Sequence, residues 1–211
     1  MATGTAGHDT SQTSREHINS LRAAQVEQGR RKRLWIRLAS VAATVVVILV
    51  VAAMALTSRQ VSSAATKVAP DFTLTNTSGA QVSLASFRGK NVLLYFSEGA
   101  GCQACLVQMA LIEKDPKFAA SGLVVLPIVM DTKAQITADM ATNGVHTPFL
   151  LDDGTVSKDY GVLGKGMMSG LPGHGFVLID KTGRQRWYGE YPSMYISPAD
   201  LLTQVREHLA S

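Results

Sequence analysis

The chain has 211 residues, 46% of them hydrophobic, and a formal net charge of +4, room for one ordinary domain plus extensions. Residues 1–37 hold seven basic side chains (Arg15, Arg22, Arg30, Arg31, Lys32, Arg33, Arg37) against Asp9, Glu16 and Glu27, whereas residues 59–211 balance 13 basic with 13 acidic ones. The basic excess is confined to one end and reads as membrane topology, which excludes nucleic-acid binding as its reason.

In chain order, residues 1–33 are polar and read as a mostly disordered cytoplasmic tail, in which Thr13 and Glu16 have the spacing to cap a short helix. Residues 34–58 read as one transmembrane helix. The run 38–58 carries no charge, and at ~1.5 Å per residue it spans ~30 Å, the thickness of a bilayer core. Trp35 sits where interfacial aromatics collect, and the basic flank keeps the N-terminus cytoplasmic. A cleaved signal is the competing reading, through Ala53-Met54-Ala55 and the pair Arg30-Arg31. The apolar run and the tail before it are both long for a signal, so the segment reads as an uncleaved anchor. Either way the C-terminal part lies outside the cytoplasm. Residues 59–68 are Ser/Ala-rich without hydrophobic period and read as a linker, so the folded domain is expected over 69–211.

From Ala69 onward strand and helix signals alternate. Short alternating strands are expected at Phe72–Thr75 and Gln81–Leu84, around a turn at Ser78-Gly79. Buried strands follow at 91–96 and 122–130, each a continuous apolar run. Helices are expected from Cys102 to Glu113 and from Lys133 to Thr142, the second stopped by Asn143-Gly144. Pro148–Leu151, Gly175–Ile179 and Arg186–Tyr188 read as strands, the last two joined by a turn at Asp180–Gly183. A final helix spans Ser197 to Leu209, with Ser197 as N-cap and Asp200 in the capping-box position. The alternation predicts an α/β fold, a central mixed sheet flanked by helices.

Both cysteines of the chain, Cys102 and Cys105, fall at C-x-x-C spacing after a buried strand and a Gly-rich turn, at the start of a helix. Exposed backbone N–H groups and the helix dipole there favour thiolate over thiol. The thiolate is the attacking species in disulfide exchange. A bridge closing so short a loop restrains little chain, and structural zinc needs four ligands that the sequence does not cluster. Redox chemistry is the reading preferred over both, with no bound cofactor beyond the redox-active disulfide.

The stretches Ala69-Pro-Asp-Phe-Thr-Leu, Val82-Ser-Leu-Ala-Ser-Phe-Arg-Gly-Lys-Asn-Val-Leu-Leu-Tyr-Phe and Phe176-Val-Leu-Ile-Asp-Lys-Thr-Gly resemble the redoxins. These comprise TlpA/ResA-type extracytoplasmic thiol–disulfide oxidoreductases and the related AhpC/TSA peroxiredoxins. The resemblance implies a thioredoxin-like fold with Cys102 as nucleophile and Cys105 as resolving thiol. It also implies protein thiols or disulfides as partners, and a membrane electron donor or acceptor. A cis-proline beside the redox pair is part of the pattern, and Pro172 is its candidate although it stands one residue out of register. Glu98, four residues before Cys102, is a candidate proton relay.

Two alternatives stand beside this reading. A peroxiredoxin-like antioxidant peroxidase would carry Thr where this chain has Gly99, and would have a Pro before it. A copper-handling module of the Sco type would take Cys102, Cys105 and His174 as ligands, with Met167 or Met168 nearby, but such proteins use C-x-x-x-C. His174 has the plainer reading of a turn residue at a strand entrance.

Overall fold

The computed structural model describes residues 39–41, 43–49, 61–164 and 169–210, in two compact units, 1–57 and 58–211. In the first unit, residues 39–41 and 43–49 are helical, and the Thr44 hydroxyl donates to the Ser40 carbonyl (2.9 Å). Among the described residues no helix is long and apolar enough to cross a membrane. The rest of the expected span 34–58, the tail before it and Met167 and Met168 lie outside them.

The second unit is built on β1 (Val61–Val68), β2 (Thr73–Asn76), β3 (Gln81–Ser83), β4 (Val92–Phe96), β5 (Val124–Val129), β6 (Leu150–Leu151), β7 (Gly175–Ile179) and β8 (Arg184–Glu190). The helices are α1 (Gln103–Lys114), α2 (Pro116–Ala120), α3 (Lys133–Asn143), α4 (Thr155–Asp159) and α5 (Pro198–Ala210), with a 3-10 turn at Leu84–Phe87. The strands form one mixed sheet in the order β1-β8-β7-β4-β5-β6-β2-β3. β4 pairs in parallel with β5 and antiparallel with β7.

Every residue of β4 is buried, which requires a covered sheet on both faces. Period-two alternation splits the strand between two cores. Leu93 and Tyr95 enter the core shared with Leu106 and Met109 of α1, Ile136 of α3 and Leu201 of α5. Val92, Leu94 and Phe96 enter the opposite core, with Phe72, Leu84, Val156 and Tyr160. The thioredoxin-like arrangement expected from the sequence is therefore present, helices lying against both faces.

Local chemistry sets the helix ends. Thr132 and Gln135 form a reciprocal capping box on α3, satisfying two orphan donors of its first turn. Gly144 then takes a left-handed φ of 64° and ends that helix, a conformation glycine adopts without Cβ strain. Ser197 caps α5 as expected, accepting from the Asp200 N–H (3.1 Å) while its hydroxyl donates to the Asp200 carboxylate (2.6 Å).

One sequence reading is corrected here. Most of the segment read as a linker, 59–68, belongs to the sheet: Val61–Val68 pairs antiparallel with β8 from Val61↔Glu190 to Val68↔Arg184. At the edge of the sheet, its order comes from pairing with the backbone of β8.

Truncating Leu93, 0% exposed, should open a cavity under α1. The expected cost of Leu93→Ala is about 2–5 kcal/mol, read from the urea midpoint at unchanged slope.

Candidate active site

β4 delivers the chain to the site. Its ladder with β5 continues one residue beyond Phe96, where the Ser97 N–H donates to the Ile128 carbonyl (3.3 Å). Glu98 to Gly101 then cross to the start of α1. Two carboxylates from the β5–α3 side grip this crossing: the Ala100 N–H donates to Asp131 Oδ2 (2.9 Å) and the Gly101 N–H to Asp139 Oδ2 (2.7 Å). Gly99 has φ 80°, and a Cβ there would run into the Asp131 carboxylate. Glycine is required at 99 on both counts.

Cys102 is the N-cap of α1 and is joined to Cys105 by a disulfide, with Cα atoms 5.3 Å apart. Its Sγ accepts the Cys105 N–H (3.3 Å), a donor that would favour thiolate at Cys102 after reduction. The two sulfurs differ in access: Cys102 is half-buried and Cys105 is 1% exposed within the α1 core. An incoming thiolate can therefore reach Cys102 and not its partner.

Behind the buried cysteine lies a polar chain that the sequence reading missed. The Tyr95 hydroxyl donates to the Cys105 carbonyl (3.0 Å) and lies 3.2 Å from His174 Nδ1. The Tyr95 ring stacks on Phe176, centroids 4.7 Å apart. Burial pushes the Tyr95 phenol well above its usual range, so it stays a neutral hydroxyl. Burial also lowers His174 to about 4, leaving a neutral imidazole at pH 7. The available signal for this chain was a single tyrosine in the apolar run Val92–Phe96, since buried phenols usually seek a partner.

Glu98 sits in the crossing as expected, and partial burial raises its carboxyl. Asp131 is raised as well, first by burial, against the pull of the Ala100 N–H, with Asp139 adding a smaller upward push. Neither Asp131 nor Asp139 stands in a recognisable motif; both reach the loop only through the fold.

Pro172 departs from the expected pattern. Every peptide bond among the described residues is trans, so Pro172 is no cis-proline. It is buried and forms an antiparallel bridge with Leu163, and the extra residue before Phe176 places His174 at the entrance to β7. Of the copper-ligand candidates, Met167 and Met168 lie outside the described residues. Among the described residues no three His, Cys, Asp or Glu side chains converge on a possible ion. Cys102 and Cys105 are bonded to each other and His174 Nδ1 faces Tyr95.

A thioredoxin-like sheet carrying an accessible and a buried sulfur, bonded to each other at one helix N-terminus, defines a protein of the redoxin class. A family model described as AhpC/TSA matches residues 65–187, and the chain belongs to that family. Over 123 residues it is 37% identical to "Peroxiredoxin Q, chloroplastic" of Arabidopsis thaliana, an alignment covering 56% of this chain and 55% of that protein. The chain thus spans about half the length of that relative. A solved 2-Cys peroxiredoxin of Plasmodium vivax superposes with TM-score 0.58 at 26% identity, covering 69% of this chain and 96% of that one. The thioredoxin domain of a thiol-disulfide oxidoreductase of Bacteroides vulgatus superposes with TM-score 0.53 at 22% identity, covering 69% and 97%, a likeness of fold alone.

Gly99→Ala should cost at least about 1 kcal/mol, because a left-handed φ and a collision combine. Asp131→Ala removes the collision but also the acceptor of the Ala100 N–H, so the check is a double-mutant cycle: Gly99→Ala should cost less in the Asp131→Ala background than in the wild type in urea unfolding. A second outcome concerns pH. With His174 near 6.5 when unfolded and about 4 when folded, protons bind preferentially to the unfolded chain as pH falls through this window. The oxidised protein should therefore lose up to roughly 3 kcal/mol between pH 6.5 and 4 relative to His174→Asn, measured by urea unfolding across that range.

Proposed function

We propose that this protein is a membrane-tethered thiol–disulfide oxidoreductase. It exchanges disulfides with partner proteins outside the cytoplasm through Cys102 and Cys105. The observation that carries the reading is the asymmetry of the pair, one sulfur reachable and the other buried behind it. Such a pair confines attack to Cys102 and leaves Cys105 to resolve the mixed disulfide from within. The uncharged run 38–58 and its basic flank support the tether and the orientation. An electron donor or acceptor in the membrane follows from the need to reset the pair after each turnover.

Peroxide reduction is the second reading, favoured by kinship with peroxiredoxins. The crossing loop argues against it. The position where a peroxidase would carry Thr is Gly99, whose backbone is left-handed and whose side-chain space holds the Asp131 carboxylate. An anionic oxygen in that space would repel the negative charge that develops on a peroxide oxygen as it is displaced.

Titrating the full chain in defined glutathione buffers should show one reversible two-electron transition. A midpoint of about −270 mV would mark a reductant and about −120 mV an oxidant. Cys105→Ser should accumulate mixed disulfides with partner proteins, and Cys102→Ser should trap none. Thiol-dependent consumption of hydrogen peroxide, lost in Cys102→Ser, together with no trapping in either variant, would instead establish the peroxidase.

A further inference from the structure

The chain from Cys105 through Tyr95 to His174 ends on an unused nitrogen. The Tyr95 hydroxyl has one proton, and a carbonyl can only accept. Both hydrogen bonds therefore form together only if Tyr95 donates to the Cys105 carbonyl and His174 Nδ1–H donates to Tyr95 Oη. That tautomer leaves Nε2 as a bare lone pair. His174 is 1% exposed, and Nε2 is buried without a hydrogen-bond partner. Buried imidazoles ordinarily use both nitrogens, so an idle basic atom wired to the redox helix calls for a reason.

Reduction of the pair supplies one. A partner dithiol attacks Cys102 Sγ through one thiolate; the Cys102–Cys105 bond breaks and its electron pair stays on Cys105 Sγ. The partner's second thiolate then attacks its own sulfur in the mixed disulfide, and Cys102 leaves with the second electron pair. The partner ends as a disulfide, and its two thiol protons must find bases. One electron pair now sits on a sulfur of the buried core that also holds Tyr95, Leu106, Met109 and Phe176, where an unpaired negative charge is costly.

We propose that His174 is the proton-holding, positioning residue of this redox pair, its Nε2 taking up one of the two protons when the Cys102–Cys105 disulfide is reduced and releasing it on reoxidation. The second proton goes to a cysteine sulfur or to water. The imidazolium is the counter-charge for the buried sulfur, and Tyr95 holds it in line. Other titratable groups surround the cluster and could compete for the proton. They are Glu98 beyond β4, Cys102 on α1, and Tyr188, Glu190 and Tyr191 from β8 and its exit, where the Tyr191 N–H donates to the His174 carbonyl (2.8 Å). Burial keeps imidazolium out of the oxidised form except near pH 4, so the change of state is confined to reduction.

The test rests on the exchange reading and fails separately from it. The full chain in detergent is titrated with glutathione, and the ultraviolet thiolate absorbance of the reduced form is followed from pH 5 to 9 for wild type, Glu98→Gln and His174→Asn. Asn keeps an N–H for Tyr95 and lacks the second nitrogen. Two protons enter with either base, so His174 changes where the proton sits and not how many are bound. Reduced wild type should carry one thiolate more near neutral pH than reduced His174→Asn, in which Cys105 must hold the proton itself. A merely structural role would leave the thiolate unchanged, and equal thiolate in the two proteins at every pH would overturn the proposal. Loss of the thiolate in Glu98→Gln with its retention in His174→Asn would overturn it in favour of the carboxylate. No reversible transition in the wild type would sink exchange itself. Should His174→Asn fail to fold, 15N spectra of the wild type at pH 6 decide: His174 Nε2 protonated when reduced and bare when oxidised supports the proposal, and bare in both overturns it.

Discussion

The rest of this structure depends on the double burial of β4. A strand covered on both faces cannot shift register without exposing one core or the other, so its end is a fixed point. From that point four residues reach the first turn of α1, and the same strand sends Tyr95 back under that turn. Position and support of the redox pair thus come from one element. A flexible platform would allow the disulfide to form but would not keep one sulfur at the surface and the other beneath it.

The loop that crosses from β4 to α1 is shaped by two carboxylates and a glycine. Asp131 and Asp139 take two consecutive backbone N–H groups of the crossing. In doing so they turn these donors toward the protein's own carboxylates and away from any incoming anion. Gly99 permits that arrangement, and the arrangement requires glycine, because a larger residue could not share the space with Asp131. Around Cys102 the site is thereby acidic, which opposes thiolate formation, whereas the helix N-terminus and the Cys105 N–H favour it.

Kinship and chemistry also carry different weights in the assignment. The family model and the superpositions reflect the sheet, its opening strands and its late hairpin, which are shared by proteins of several activities. Activity is decided by the side chains of a site and not by the fold, here those around Cys102. In this chain those side chains describe a guarded disulfide backed by a neutral imidazole.

The sequence by itself determined the α/β alternation, the paired cysteines at a helix start, the strand buried on both faces, the helix stop at Gly144 and the cap at Ser197. These depend on neighbours within a few positions, through hydrophobic period, turn chemistry and helix capping. Only the tertiary structure decided that Val61–Val68 is an edge strand, since its order comes from β8 across more than a hundred residues. The trans bond before Pro172 and the meeting of Tyr95, His174 and the Cys105 carbonyl were decided there too. So was the grip of Asp131 and Asp139 on the crossing loop. Each of these joins residues that no local pattern relates, and long-range packing alone selects which polar groups are left to find one another in the interior.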